Sequence, residues 1–264
     1  MQPLKGRVLV IAGSDSGGGA GIQADIKTIS ALGGYATTAI TALTVQNTLG
    51  VQAIHPVSAD FVIAQMRAVL DDIGADCMKT GMLPDAETVR AICDFLDARE
   101  CGLPLVVDPV MVATSGDALA GGDMVGALRE RLLPRATVIT PNLAEAEQLT
   151  GIEVADTAAM IAAGRRICDL GAQAALITGG HLTGDEISDV LIADGDVHIM
   201  TSPRIDTRHT HGTGCTLASA IAAGLAQQMP LIDAVLRARE FVARAIRQAP
   251  GLGQGHGPLN HNPN

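Results

Sequence analysis

The sequence predicts an α/β fold built on a mostly parallel sheet, and three observations carry that prediction. The first is composition: 264 residues, 47% of them hydrophobic, with no Trp, one Tyr and three Phe. A large core made from Ala, Val, Ile, Leu and Met suits layered helices and parallel strands better than an aromatic-rich sandwich. The second is a strand–glycine turn–helix opening. The third is the return of short β-branched runs separated by segments of helical period. No repeat, low-complexity linker or charge run marks a boundary, so residues 1–264 are read as one domain.

The opening strand is the apolar run 8–12, the glycine-rich turn spans 13–21, and an amphipathic helix follows from Ile22 to about Leu32. Further strands are expected at 36–45, 51–57, 77–80, 105–107, 137–140 and 174–178, joined mostly by helical crossovers. Ser58 can cap a helix whose Val62, Met66, Val69, Leu70 and Ile73 share a face. Asp156 can cap another carrying Met160, Ile161, Gly164, Ile167 and Cys168. Pro84 and Gly102 bracket a third. Two apolar runs within 187–200 flank Asp194-Gly195, the signal of a tight hairpin that adds antiparallel strands. The glycine-rich, polar tail, 251–264, reads equally as a frayed terminus or as an active-site flap.

Net charge is −10, and the eighteen basic residues are scattered, without a Lys/Arg block or an aromatic-interleaved basic stretch. That excludes the electrostatic footprint of nucleic-acid binding and points to small-molecule partners. The five cysteines, Cys77, Cys93, Cys101, Cys168 and Cys215, show neither C-x-x-C spacing nor a Cys/His zinc pattern, so reduced thiols in a cytoplasmic protein are expected. The run 8–12 is too short for a signal-peptide core, and no stretch reaches the roughly 18 apolar residues of a membrane span.

Two glycine-rich segments carry the chemistry. Gly13-Ser14-Asp15-Ser16-Gly17-Gly18-Gly19-Ala20-Gly21 can present backbone N–H groups to an anion or a polar ligand at a helix N-terminus. It is not a dinucleotide fingerprint, because the residues about 20 positions on, Ala39 to Leu43, include no acid for a ribose. Nor is it a P-loop, since no Gly-Lys-Ser/Thr occurs in the chain. The second segment, Thr210-His211-Gly212-Thr213-Gly214-Cys215, precedes a small-residue helical run and can stabilise charge on a transferring phosphoryl group. Its competing reading is an ordinary helix cap.

The resemblance then becomes specific. Ala12-Gly13-Ser14-Asp15 through Gly18-Gly19-Ala20-Gly21-Ile22-Gln23-Ala24-Asp25, Thr41-Ala42-Leu43 with Gln46-Asn47-Thr48, Lys79-x-Gly81-Met82-Leu83, Asp108-x-Val110-Met111, Thr140-Pro141-Asn142-x-x-Glu145-Ala146, Gly179-Gly180-His181 and His211-Gly212-Thr213-Gly214-Cys215-Thr216 occur in that order and cover nearly the whole chain. The sequence resembles the hydroxymethylpyrimidine/phosphomethylpyrimidine kinases of thiamine biosynthesis, within the ribokinase superfamily. The resemblance implies a three-layer α/β/α fold with a small hairpin flap. It implies ATP and Mg2+ as cofactors, a homodimer, and phosphorylation of 4-amino-5-hydroxymethyl-2-methylpyrimidine and then of its monophosphate.

Site residues carry over at matching positions. Asp25 and Gln46 match residues that hydrogen-bond the aminopyrimidine, and Gly13, Met82 and Val110 match positions lining its pocket. Asp108, Asn142 and Glu145 match the residues that organise the nucleotide phosphates and the metal, the latter through Asp108 and Glu145. Thr178 and Thr210 border the phosphate site, and Gly212, Thr213, Gly214 and Cys215 form the catalytic anion turn. Simpler readings stay open: Asp25 as a first-turn helix carboxylate, Gln46 as a turn residue, Glu145 as a solvated helix residue, Cys215 as an inert core thiol. At a helix N-terminus the Cys215 thiol is expected to have a lowered pKa, suited to a general base where relatives carry Asp. Two departures stand out. Thr178 replaces the family's usual Lys, leaving Lys79 or the backbone to take up that charge. Ser16-Gly17 replaces a frequent Pro-Ser, which should loosen the first loop. A vitamin B6 kinase of the same superfamily and a non-catalytic pyrimidine sensor are the competing functions.

Overall fold

The computed structural model describes residues 5–111, 122–180 and 182–262; His181, the end of the Gly-Gly-His triplet, lies outside them. The chain runs β1 (Arg7–Asp15), α1 (Gly21–Ala31), β2 (Tyr35–Asn47), β3 (Gly50–Pro56), α2 (Ala59–Asp72), β4 (Cys77–Thr80), α3 (Ala86–Ala98) and β5 (Leu105–Val107). It continues through α4 (Gly122–Ala127), β6 (Val138–Ile139), α5 (Leu143–Thr150), α6 (Thr157–Asp169) and β7 (Ala174–Ile177). It ends with β8 (Glu186–Ala193), β9 (Asp196–Pro203), α7 (Thr213–Ala226) and α8 (Leu231–Arg247). Among the described residues nine strands form one sheet, ordered β3-β2-β1-β4-β5-β6-β7-β8-β9. The middle six are parallel, while β3, β8 and β9 pair antiparallel.

Alternation along the strands makes the three layers. Leu9 and Ile11 face a core shared with Val62 and Met66 of α2 and with Val89 and Ile92 of α3. Val8, Val10 and Ala12 point the other way, against Ile22 and Ile29 of α1 and the Ala-rich α7. Each buried Val, Leu or Ile contributes about 1.5–3 kcal/mol, so both faces of β1 hold the sheet. α7 is apolar all round and made of small residues, which lets it lie under the sheet and against α8; a Cβ on Gly224 would meet Ala234. Asp85 and Asp156 cap their helices by accepting from Thr88 and Ala159 N–H.

The differences from expectation are local. β1 runs on through Gly13 and Ser14 to Asp15, so the first glycine turn is shorter than the sequence suggested. Segment 51–57 is not a crossover strand: β3 folds back on β2 as a hairpin over Asn47-Thr48-Leu49-Gly50, where Asn47 Oδ1 accepts from Leu49 N–H at 2.9 Å. Ser58 occupies its N-cap without a side-chain bond, and Ile73 ends exposed. The Asp194-Gly195 turn joins β8 and β9 as expected, both residues with positive φ (53° and 84°), as a primed turn demands. The tail does not fray over 251–262: Leu259 and His261 are buried. Among the described residues no helix is long and apolar enough to cross a membrane.

Candidate active site

β1 sits mid-sheet; the chain leaves it first toward β2 and β3, then returns to β4 on its other side. The loops after β1 and β4 therefore part, and a parallel sheet opens its crevice at such a point. Gly13 of β1 and Met82, just past β4, face each other there; a Cβ on Gly13 would come within 3.2 Å of the Met82 sulfur. Met82 and Val110 are half-buried, as is Gln46, farther along β2. Ser16 Oγ donates to the Gln46 carbonyl (2.8 Å), and Thr44 Oγ1, 3.0 Å from the Ser14 carbonyl, lies 3.1 Å from Gln46 Oε1. The Gln46 side-chain N–H groups bond to no described residue.

Beneath this crevice lies a buried charge cluster. Lys79 of β4, fully buried, donates to both oxygens of Asp25 (3.0 and 3.2 Å) and lies 3.7 Å from Asp108 Oδ2. Ser219 Oγ of α7 donates to Asp25 at 2.6 Å. Burial disfavours the charged form of Lys79, but the Asp25 and Asp108 carboxylates outweigh it and hold the ammonium above its ordinary pKa. Two expectations change. Asp25 faces the core with both oxygens engaged and offers no free edge to a ligand in this conformation. Lys79 is spent on two carboxylates, so it does not replace the Lys absent at Thr178. Removing one partner of such a buried pair costs about 3–5 kcal/mol, which explains why these groups are tied together.

Asp108 follows β5. Burial, with Asp25 adding repulsion, pushes its carboxyl up to about 6. Its Oδ2 is buried without a hydrogen-bond partner. Glu145, at the third position of α5, accepts from Asn142 N–H (2.9 Å) while Asn142 Oδ1 accepts from Glu145 N–H (3.0 Å), a reciprocal cap. Glu145 is therefore not solvated; burial and Asp108 push it up to about 8. Thr178 lies beside Asn142 through a parallel bridge.

The two glycine turns meet over the cluster. In the first, the Asp15 carboxylate accepts from the N–H groups of Gly17 (2.7 Å), Gly19 (3.0 Å) and Ala20 (2.8 Å), and from His211 Nε2 (2.9 Å). Burial opposes the charge, but these donors hold the carboxyl below its usual range. The turn is thus pinned, not loosened by Ser16-Gly17, and its donors are already used. The second turn differs. Gly212 has φ 86°, and a Cβ there would run into the Gly19 carbonyl. Thr213 donates N–H and hydroxyl back to Thr210 O, which closes the loop. The N–H groups of Gly212, Gly214 and Cys215 bond to no described residue and open beside Asp108; a Cβ on Gly214 would lie 3.8 Å from Asp108 Oδ1.

Cys215 overturns its expected acidity. It is half-buried, and burial, with Asp108 and Asp25 adding to it, pushes the thiol up to about 12 despite Lys79. The helix N-terminus is the weaker influence. Asp15 and His211 are the site residues sequence reasoning used only as motif letters; an Asp two residues before a glycine run was the available signal, because such side chains anchor local N–H groups.

Residues 15–260 match the family described as phosphomethylpyrimidine kinase. The chain belongs to that family. The hydroxymethylpyrimidine/phosphomethylpyrimidine kinase of Rhizobium meliloti is 55% identical over 257 residues, covering 96% of each chain. The bifunctional thiamine biosynthesis protein of Geobacter sulfurreducens is 51% identical over 97% of this chain, which spans only 52% of that longer protein. Among solved structures, the ADP complex of Bacillus subtilis pyridoxal kinase superposes with a TM-score of 0.91 at 40% identity over 98% of both chains. The family's fold accounts for the layered sheet and its crevice.

Proposed function

We propose that this chain transfers the γ-phosphoryl group of ATP to the hydroxymethyl oxygen of 4-amino-5-hydroxymethyl-2-methylpyrimidine, and then phosphorylates the resulting monoester. One observation carries the reading: three N–H groups at the start of α7, which bond to no described residue, open beside the buried carboxylate of Asp108. Such donors fit the charge that develops on a phosphoryl group in flight. Relatives named for both phosphorylations, and a neighbour solved with ADP, support acceptor class and nucleotide alike.

In this reading the acceptor lies against Gly13, Met82 and Val110, with the free amide of Gln46 reading its ring edge. Asn142, Thr178 and Thr210 border the ATP phosphates. Asp108, whose Oδ1 borders the open turn while Oδ2 faces Lys79, and Glu145 are the carboxylates that would hold a hard divalent cation. Among the described residues no three-residue metal cluster occurs. Mg2+ keeps waters and substrate phosphates in its shell and needs few protein ligands. When bound, Mg2+ supplies charge neutralisation to the phosphates.

The protein's own groups orient the acceptor, exclude water and hold charge. Cys215, kept neutral, adds no anion to the two carboxylates already present, so an acceptor that arrives with a phosphate meets less repulsion than an Asp there would give. We further propose a single-domain cytoplasmic enzyme acting as a homodimer, supported by the open edge of β3 and the exposed Leu43, Val45, Leu49 and Ile54 around it. The test is ADP release against hydroxymethylpyrimidine, its monophosphate, pyridoxal and hydroxyethylthiazole. Highest kcat/KM on the two pyrimidines is expected; turnover confined to pyridoxal or the thiazole would overturn the reading.

A further inference from the structure

The tail 251–262 lies across both halves of the site. At one end His256 N–H donates to Thr48 O (2.9 Å) and Gly255 N–H to Thr48 Oγ1 (3.3 Å), gripping the β2–β3 turn two residues beyond Gln46. In its middle the Gly257 carbonyl accepts from His211 N–H (3.2 Å), and Pro258 pairs with His211. At its far end Asn260 N–H donates to Ala245 O of α8 (3.1 Å), and His261 Nε2 lies 2.9 Å from Thr216 Oγ1.

Thr216 makes the last contact informative. Its hydroxyl donates to the Gly212 carbonyl at 2.8 Å, and a hydroxyl has a single proton to give. His261 Nε2 is therefore the donor in its bond to Thr216, which assigns the ring a proton on Nε2. The relay ends on Gly212, whose left-handed backbone (φ 86°) decides where the free N–H groups of the turn point. His211, one residue earlier, is fixed independently by Asp15 and by Gly257.

We propose that residues 251–262 are a strap that orients the phosphoryl turn, and that His261 is a positioning residue for phosphoryl transfer, acting through Thr216 on Gly212. It rests on the proposed role of that turn. His261 is buried and bonds to Thr216, not to the residues proposed to hold acceptor or nucleotide, so its loss should lower kcat and leave both KM values near wild type. A donor placed at the same reach should suffice, and a Gln amide nitrogen supplies one.

The experiment compares wild type, His261→Ala, His261→Gln, Thr216→Val and the double variant His261→Ala/Thr216→Val. We expect kcat to fall about 10-fold in His261→Ala, most of it to return in His261→Gln, and the double variant to be no slower than the worse single, because a relay acts as a unit. Amide hydrogen exchange of a peptide covering 210–216, measured on the ligand-free proteins, should quicken in His261→Ala and not in His261→Gln. That arm reads the relay without turnover, so an inactive wild type would sink the kinase reading alone. Unchanged kcat and unchanged exchange in His261→Ala, or losses in the double variant equal to the product of the singles, would overturn the proposal.

Discussion

The molecule carries two glycine-rich turns, each leading into a helix, and they have opposite fates. The turn after β1 gives its N–H groups to the carboxylate of Asp15; the turn before α7 keeps those of Gly212, Gly214 and Cys215 open. Both have the glycines and the helix dipole that make an anion site. What separates them is one side chain placed just upstream. The first turn holds an anion of its own and becomes a rigid wall, on which the second, through His211 and the close approach of Gly212 to Gly19, is built. Glycine content thus marks where backbone can curl, and the neighbouring acid decides whether the curl is free to bind.

Closing the open turn should have the largest effect. Gly212→Ala places a Cβ on a left-handed residue against the Gly19 carbonyl, so the free donors lose their aim, and kcat should fall about 10²–10³-fold. Steady-state ADP release checks this, with circular dichroism to show the fold retained. Opening the closed turn is the converse. Asp15→Ala leaves three N–H groups and His211 without their acceptor and should cost roughly 3 kcal/mol in urea unfolding. Formate added to that variant should recover part of the loss, and wild type should gain nothing from it; equal gains in both would erase the distinction between the turns.

Gln46 borders the pinned turn through Ser16 and leaves its amide N–H groups free. Gln46→Leu should weaken the acceptor by about 1–3 kcal/mol in KM and leave the ATP KM unchanged. The smallest effect concerns pH. Burial, with Lys27 of α1 adding repulsion, lowers His261 from 6.5 to about 4. A depressed histidine stabilises above its unfolded pKa and loses that contribution as pH falls through the folded value. Melting temperature should therefore decline between pH 6.5 and 4 by an amount worth on the order of 1–2 kcal/mol more in wild type than in His261→Gln.

How much of this was readable from residues alone depends on range. β4 and β5 fell where their β-branched runs end, and the Asp194-Gly195 turn declared its hairpin, because those signals are local. The Asn47–Gly50 turn carries no Asp-Gly or Asn-Gly pair, and β3 is mostly exposed although its apolar letters resembled a buried strand. At the site the motifs located Gly13, Asp108, Asn142 and the α7 turn near one crevice. They did not reveal that Asp25 belongs to Lys79, or Asp15 to His211, since those partners stand 54 and 196 positions apart and no spacing rule links them. The expected acidic Cys215 failed for a related reason: a helix terminus is visible in sequence, but two carboxylates and a buried lysine converging from three other elements are not.

The same long reach has a consequence for how the protein comes into being. Asp15 waits for His211, Asp25 for Ser219, and Thr48 for Gly255, contacts separated by 196, 194 and 207 residues. Closing loops of that length is slow, and a chain emerging from the ribosome at about 5–20 residues per second holds the first partner for many seconds before the second exists. Until α7 arrives, Asp25 has Lys79 without Ser219, and one face of β1 is covered by α1 alone. Activity should accordingly be the last property to appear during refolding, after most of the sheet's secondary structure is already in place.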